Sequence, residues 1–256
     1  MTFAQAFPLY GNNLYNLLTL KKTIVIALIL WANINFAQET GEDKLGSWFL
    51  LSVKNQVTDN FSVSTIIQKR FHEFLDNGQS VFVSLALNYK LNDKVTLTEG
   101  FGYLENQPFL KPIDFETTFD RRIFEQLTYN DKIDRLQINQ RFRTEHRWLT
   151  KRENTDFESR FRYQLWLRYP LNHKSITPNT IYLSSFDEII FNFQGDVFSQ
   201  NRIFGGMGYQ LDKNIRFEGG YMKNQFRGRN FDRIWLMLFI NTDLRKIFKK
   251  NTNSHS

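Results

Sequence analysis

Residues 135–148 read RLQINQRFRTEHRW, and taking every second residue separates them into two kinds. One set is Arg135, Gln137, Asn139, Arg141, Arg143, Glu145 and Arg147, with four arginines and no apolar group. The other is Leu136, Ile138, Gln140, Phe142, Thr144, His146 and Trp148, largely apolar or aromatic. At about 100° per residue, as in a helix, the arginines would scatter around the cylinder, and the apolar residues do not recur at i+3 and i+4. At about 180° per residue the separation is nearly clean, which predicts a strand of roughly 14 residues. Globular strands run about 5–6 residues, whereas strands that cross a membrane need about 9–11.

The pattern recurs along the chain. Phe61–Phe74 sets Phe61, Val63, Ile67 and Phe71 against Ser62, Ser64, Gln68, Arg70 and His72. Ser80–Leu91 sets Val81, Val83, Leu85, Leu87 and Tyr89 against Ser80, Ser84, Asn88 and Lys90. Phe157–Leu171 opposes Phe161, Tyr163, Leu165 and Leu167 to Glu158, Arg160, Arg162, Gln164 and Arg168. Phe198–Leu211 and Ile215–Gln225 alternate in the same way, with Arg202 and Glu218 on their polar sides. Leu45–Val57, Val95–Leu104, Phe115–Tyr129, Ile181–Phe193 and Arg233–Asp243 are further candidates.

A soluble sandwich turns its apolar face inward and would leave these arginines on long solvated strands. A membrane barrel reverses the sense, with apolar side chains toward lipid and polar ones toward the lumen. The expectation is therefore an all-β, antiparallel up-and-down transmembrane β-barrel of about 10–12 strands. Eleven segments can be counted, yet a barrel with both chain ends in the periplasm needs an even number. Leu45–Val57 is then no ordinary wall strand, or one segment hides two. Short polar connectors at Thr58–Asn60, Asn92–Lys94, Asn130–Lys132 and Asp212–Asn214 alternate with longer ones at Leu75–Gln79, Leu104–Asp114, Leu149–Asp156 and Lys223–Asn230. That alternation predicts short turns at one barrel end and longer loops at the other. Asn172–Asn179 is too long for the scheme and Gln194–Val197 too short. Glu99 and Glu125 share parity with lipid-side residues, which implies a bulge or a shifted register.

The chain has 256 residues, no cysteine, five prolines and 26 phenylalanines, a length that allows one large all-β domain. After residue 37 the longest apolar run is Ile234–Ile240, far short of the about 20 residues a spanning helix requires. Residues 21–37, KKTIVIALILWANINFA, read as a secretory signal: two lysines, an apolar core over Thr23–Ala32, and Ala37 at the cut. Met1–Leu20 has no part in such a signal and reads as an upstream extension. The expected organisation is thus 1–37 extension plus signal, 38–243 barrel, and 244–256 a basic polar tail. Without cysteine no lipidation site follows the signal, and export without disulfides fits a Gram-negative envelope. Residues 1–37 hold two lysines and no acid, so the remainder carries 31 basic and 26 acidic groups. That surplus is interleaved along strands rather than gathered in a block, which argues against nucleic acid as a partner. The expected partners are outer-membrane lipids and, during insertion, the barrel-assembly machinery.

Several stretches, in order, carry a family likeness: GSWFLLSVKNQVTDNFSVSTIIQKR (46–70), RRIFEQLTY (121–129), RFRTEHRW (141–148), RFRYQLWLRYPL (160–171), FDEIIFNF (186–193), SQNRIFGGMGYQL (199–211) and EGGYM (218–222). In these the chain resembles a Bacteroidota family known as domain of unknown function number twenty-four ninety. The resemblance implies an outer-membrane barrel and brings no assigned activity. The tail from Leu244 runs past the family's usual end.

Candidate chemistry is sparse. An outer-membrane lipase would need His and Ser close together, and the one internal H-x-S, His173-Lys174-Ser175, falls in an expected turn. There is no G-x-S-x-G elbow and no HExxH, and His72, His146, His173 and His255 are too scattered to suggest a metal. Gly100/Gly102, Gly205/Gly206/Gly208 and Gly219/Gly220 precede neither GK[ST] nor a helix, so they read as room for bulky luminal neighbours rather than phosphate loops. The expectation is no enzyme, no cofactor and no metal. The polar residues that remain are Arg141, Arg143, Glu145, Arg147, Glu158, Arg160, Arg162, Glu188, Arg202 and Glu218, with Asp187 beside them. They read either as a salt-bridged interior that fills a narrow barrel, or as a luminal site that binds or conducts an anion. The segments Ile133–Trp148 and Phe157–Leu171 should form a hairpin, gathering five arginines that Glu188 and Glu218 have the parity to meet.

Overall fold

The computed structural model describes residues 41–109 and 116–245. The expected signal, the upstream extension, the tail beyond residue 245 and positions 110–115 lie outside them. Eleven strands account for nearly all of the rest: β1 Gly46–Gln56, β2 Phe61–Glu73, β3 Asp76–Lys90, β4 Val95–Asn106, β5 Thr118–Ile133, β6 Leu136–Lys151, β7 Asn154–Pro170, β8 Thr180–Asn192, β9 Phe198–Gln210, β10 Ile215–Phe226 and β11 Arg229–Asp243. They form one closed barrel in which each strand pairs antiparallel with its sequence neighbours. Closure is made by β1 and β11, which run parallel from Gly46↔Arg233 to Gln56↔Asp243.

The parallel seam corrects the expectation of an even strand number. That rule follows from placing both chain ends on one side, and parallel pairing pairs the edges without it. The span 45–57 is accordingly a full wall strand, and the count of eleven stands.

Connectors also depart from the expected segregation. At the end where β1 begins they are 74–75, 107–117, 152–153, 193–197 and 227–228; at the other, 57–60, 91–94, 134–135, 171–179 and 211–214. Both ends mix tight and long ones. Three expected loops, at 75–79, 149–156 and 223–230, are two-residue hairpins between longer strands, and β5 runs on through 130–132. The reason is local: the β5–β6 turn falls at Asp134 (φ 50°), a turn former two residues past the expected stretch, whereas the hairpins at 74–75 and 152–153 put Leu75 (φ 60°) and Arg152 (φ 55°) in left-handed positions, residues that do not announce a turn. Gly228 (φ 73°), in the hairpin at 227–228, does. Arg135 thus sits in the β5–β6 turn, where its Nη2 donates to Pro170 O at 2.6 Å and His173 O at 2.8 Å.

Register is continuous through β4 and β5, so the bulge expected near Glu99 and Glu125 is absent. The two face each other in register on the outer wall. Register shifts occur instead at Arg70/Phe71 and Ile190/Phe191.

Sidedness follows the alternation. On β3, Val81, Val83, Leu85 and Leu87 stand exposed while Ser80, Phe82, Ser84, Ala86 and Asn88 are buried in the lumen. Inward space is made by glycine where a large ring needs it: a Cβ at Gly208 would run into the Tyr182 ring, and one at Gly100 into Phe124. The interior itself has two materials. Trp48, Phe186, Phe204, Met222, Trp235 and Met237, from five strands, pack into one apolar cluster. Trp235 meets Trp48 at 5.4 Å and Phe186 at 5.5 Å between ring centroids, both edge to face. Beside this cluster lies the charge.

Candidate functional site: the charged lattice of the lumen

Hairpin β6–β7 forms as expected, and its register sets Arg143 opposite Arg162, Glu145 opposite Arg160 and Arg147 opposite Glu158. On the other flank β5 places Arg122 opposite Arg147. Like charges directly across a ladder repel, so the arrangement holds only if carboxylates reach between rows.

They do. Glu145, fully buried, accepts from four arginines: Arg162 Nη1 at 2.7 Å and Arg143 Nη1 at 3.5 Å on Oε1, Arg160 Nε at 2.5 Å and Arg122 Nη1 at 3.3 Å on Oε2. Glu188 comes in from β8 and takes Arg162 Nη2 at 2.7 Å, Arg202 Nη1 at 3.0 Å and Arg141. Asp120 on β5 joins Arg122, through Nε at 3.1 Å, to Arg147, through Nε at 3.0 Å. Glu158 lies at the half-exposed rim, 3.3 Å from Arg147 Nη1. Nine of the ten expected luminal residues thus belong to one connected lattice. Glu218 does not: it anchors a second group, accepting from Arg168 Nε at 2.8 Å, Ser184 Oγ at 2.7 Å and Tyr182 Oη at 3.0 Å. Asp187 points outward, where Asn201 Nδ2 donates to it at 2.5 Å.

Asp120 and Arg122 join the lattice unforeseen, and Arg70, whose polar side the alternation gives, lies beside it without having been expected there. Asp120 and Arg122 are two apart on one strand, a spacing that puts both on one face, but Arg121 and Glu125 on the opposite parity masked the sidedness of β5. Aromatic rings hold the guanidinium planes: Arg143 lies 4.1 Å over Phe124, Arg168 4.1 Å over Trp166 and Arg70 4.2 Å over Trp48.

Outside the wall, His146 meets residues that sequence spacing could not bring to it. Its Nδ1 lies 2.9 Å from Ser159 Oγ, and its Nε2 3.7 Å from Glu125 Oε2. These are the residue types of a nucleophilic triad. The geometry does not serve one. Ser159 is buried, and its backbone N–H is given to Gln194 Oε1 at 2.9 Å. The Glu125 contact is beyond hydrogen-bond length. His173 Nδ1 pairs with Thr180 Oγ1 at 3.0 Å and not with Ser175.

Among the described residues no group of three or more His, Cys, Asp or Glu could hold a metal ion. No curated protein matches the chain. A family model does, over residues 45–235, from just before β1 to the middle of β11. The chain belongs to the family described as a protein of unknown function, DUF2490.

Proposed function

We propose that this protein is an integral outer-membrane β-barrel whose lumen is closed by its own side chains and which carries out no catalysis. The inverted sheet is the observation that carries this reading. Leu85, Leu87, Phe101 and Met207 are more than half exposed on the outer wall, while the arginine lattice is buried inside. In water that wall would be an aggregating surface; against lipid it is the favourable one. Closure is supported by the apolar cluster and the lattice, which occupy opposite sides of the lumen and narrow it to one cavity of about 410 Å³.

The protein should stay with the membrane through a carbonate wash and migrate differently on gels before and after boiling. Release by carbonate would instead favour a soluble periplasmic barrel. In planar bilayers it should pass no steady current, and an anion-selective current would replace the closed reading with a small pore.

The absence of catalysis has its own test. Any ester hydrolysis by the purified protein should be at background, and Ser159→Ala and Ser175→Ala should leave it there. Activity that disappears in either variant would make the barrel a hydrolase.

A further inference from the structure

Charge in the lumen does not balance. Arg70 and the seven arginines of the lattice line one cavity of about 410 Å³. Among the described residues, four carboxylates are paired with them, Asp120, Glu145, Glu158 and Glu188, which leaves four positive charges unmatched. Hydrogen bonding hides the deficit. Gln68 Oε1 accepts from Arg70 Nε at 3.0 Å and Nη2 at 2.7 Å, and Gln126 Oε1 takes Arg143 at 2.9 and 2.6 Å. Gln200, with its amide turned to face donors, serves Arg202 in the same way. A glutamine satisfies the N–H groups of a guanidinium and contributes no charge.

Arg70 is the extreme case. No described carboxylate forms an ion pair with it, and it shares its cavity with the seven lattice arginines. Its plane is fixed on Trp48, the ring that also carries Arg202 at 5.3 Å. Arg141 adds a buried Nε with no partner. Gln68 takes Nε and Nη2 of Arg70 and leaves its Nη1 toward the cavity, and a fixed guanidinium with an N–H to spare beside an open space is a point contact for phosphate. The cavity extends to Asn106, Thr118 and Leu149, near the strand ends where β1 begins, so solutes would enter there. Its opposite wall is apolar, with Leu50, Trp235, Met237 and Phe239.

We propose that this cavity binds a small phosphate monoester with an apolar or ring-bearing body, the phosphate on Arg70 and Arg202 and the body against Trp235 and Met237. A phosphate monoester brings about −1.5 to −2 charges, so one ligand offsets near half of the excess. The volume lies within the range of small-molecule pockets, about 300–1,000 Å³, and is too small for a polynucleotide. The site depends on the barrel interior alone and not on membrane residence, so the two proposals fail independently.

Phenyl phosphate is the probe. Titrated into the full chain in neutral-detergent micelles, it should give saturable heat at one ligand per chain and alter tryptophan emission through Trp48. Inorganic phosphate should compete, whereas sodium chloride at matched ionic strength and phenol should not. Arg70→Gln should weaken binding about tenfold or more, since it removes a charge-assisted contact, and Arg70→Lys should restore part of it. The lattice does not use Arg70 in an ion pair, so the variant should still fold. Competition by short-chain phosphatidic acid would name a lipid headgroup as the source of the ester, and its failure a soluble one. An Arg70→Gln protein that folds and binds equally well would overturn the proposal. So would a wild type whose response chloride reproduces, and that result needs no variant.

Discussion

Glu145→Gln is expected to destabilise the barrel by about 3–5 kcal/mol, the cost of breaking a buried ion pair by removing one partner. The substitution keeps the volume and a hydrogen-bonding carbonyl, so packing changes little. What goes is the one negative charge shared by Arg122, Arg143, Arg160 and Arg162. Those four would face one another across β5, β6 and β7, with Asp120 and Glu188 each bonded to part of the set. Denaturant titration of the detergent-solubilised barrel, followed by tryptophan emission or gel migration, measures the loss. Glu158→Gln is the matched control. That carboxylate meets Arg147 alone at a half-exposed rim, and its loss should cost about 1 kcal/mol or less. Equal midpoints for Glu145→Gln and the wild type would mean that the lattice contributes nothing to holding the barrel.

Trp235→Ala should cost a comparable amount, about 3–5 kcal/mol, for the opposite reason. Its ring touches Trp48, Phe186 and Phe204, from three other strands, at centroid distances of 5.4, 5.5 and 6.2 Å. Removing it leaves a void that a closed wall cannot collapse around. Trp235→Phe should be far milder, within about 1.5 kcal/mol, because it keeps a ring of related shape. The indole N–H has no hydrogen-bond partner to lose. The same denaturant titration ranks the three proteins. An Ala variant as stable as the Phe variant would show that the aromatic cluster merely occupies space.

Part of this architecture is legible in the amino-acid sequence and part is not. Sidedness is, because alternation with a period of two survives whatever the strand pairs with; Arg141 to Arg147 and Arg160 to Arg162 lie inside as their parity requires. Pairing between sequence neighbours is legible for the same reason. Partners across the lumen are not. Glu188 and Glu218 share the right parity, yet one meets the central arginines and the other Arg168, and only the barrel's curvature distinguishes them. The aromatic half of the interior escaped because Phe186 and Phe204 are the same residue types that coat the outside. The tight turns at 74–75 and 152–153 escaped because leucine and arginine occupy their left-handed positions. His146 met Ser159 from thirteen residues away on the next strand, beyond any linear motif.

The parallel seam has a consequence for the order of folding. Every other ladder joins strands separated by 2–11 connecting residues, so each can zip as a hairpin soon after its second strand is available. The seam joins residues 187 positions apart, as Thr242 and Asn55 illustrate. Loop-closure entropy grows slowly with length but must be met in full before any seam contact rewards it, and such contacts slow folding. β1 therefore spends most of the folding reaction with one edge unpaired, and β11 is the last strand to be made. Trp48 and Trp235 lie directly opposite in that ladder, so their packing is also among the last to form. The contact of Trp48 with the ring cluster of β8–β11 is thus the latch that ends folding rather than the nucleus that starts it.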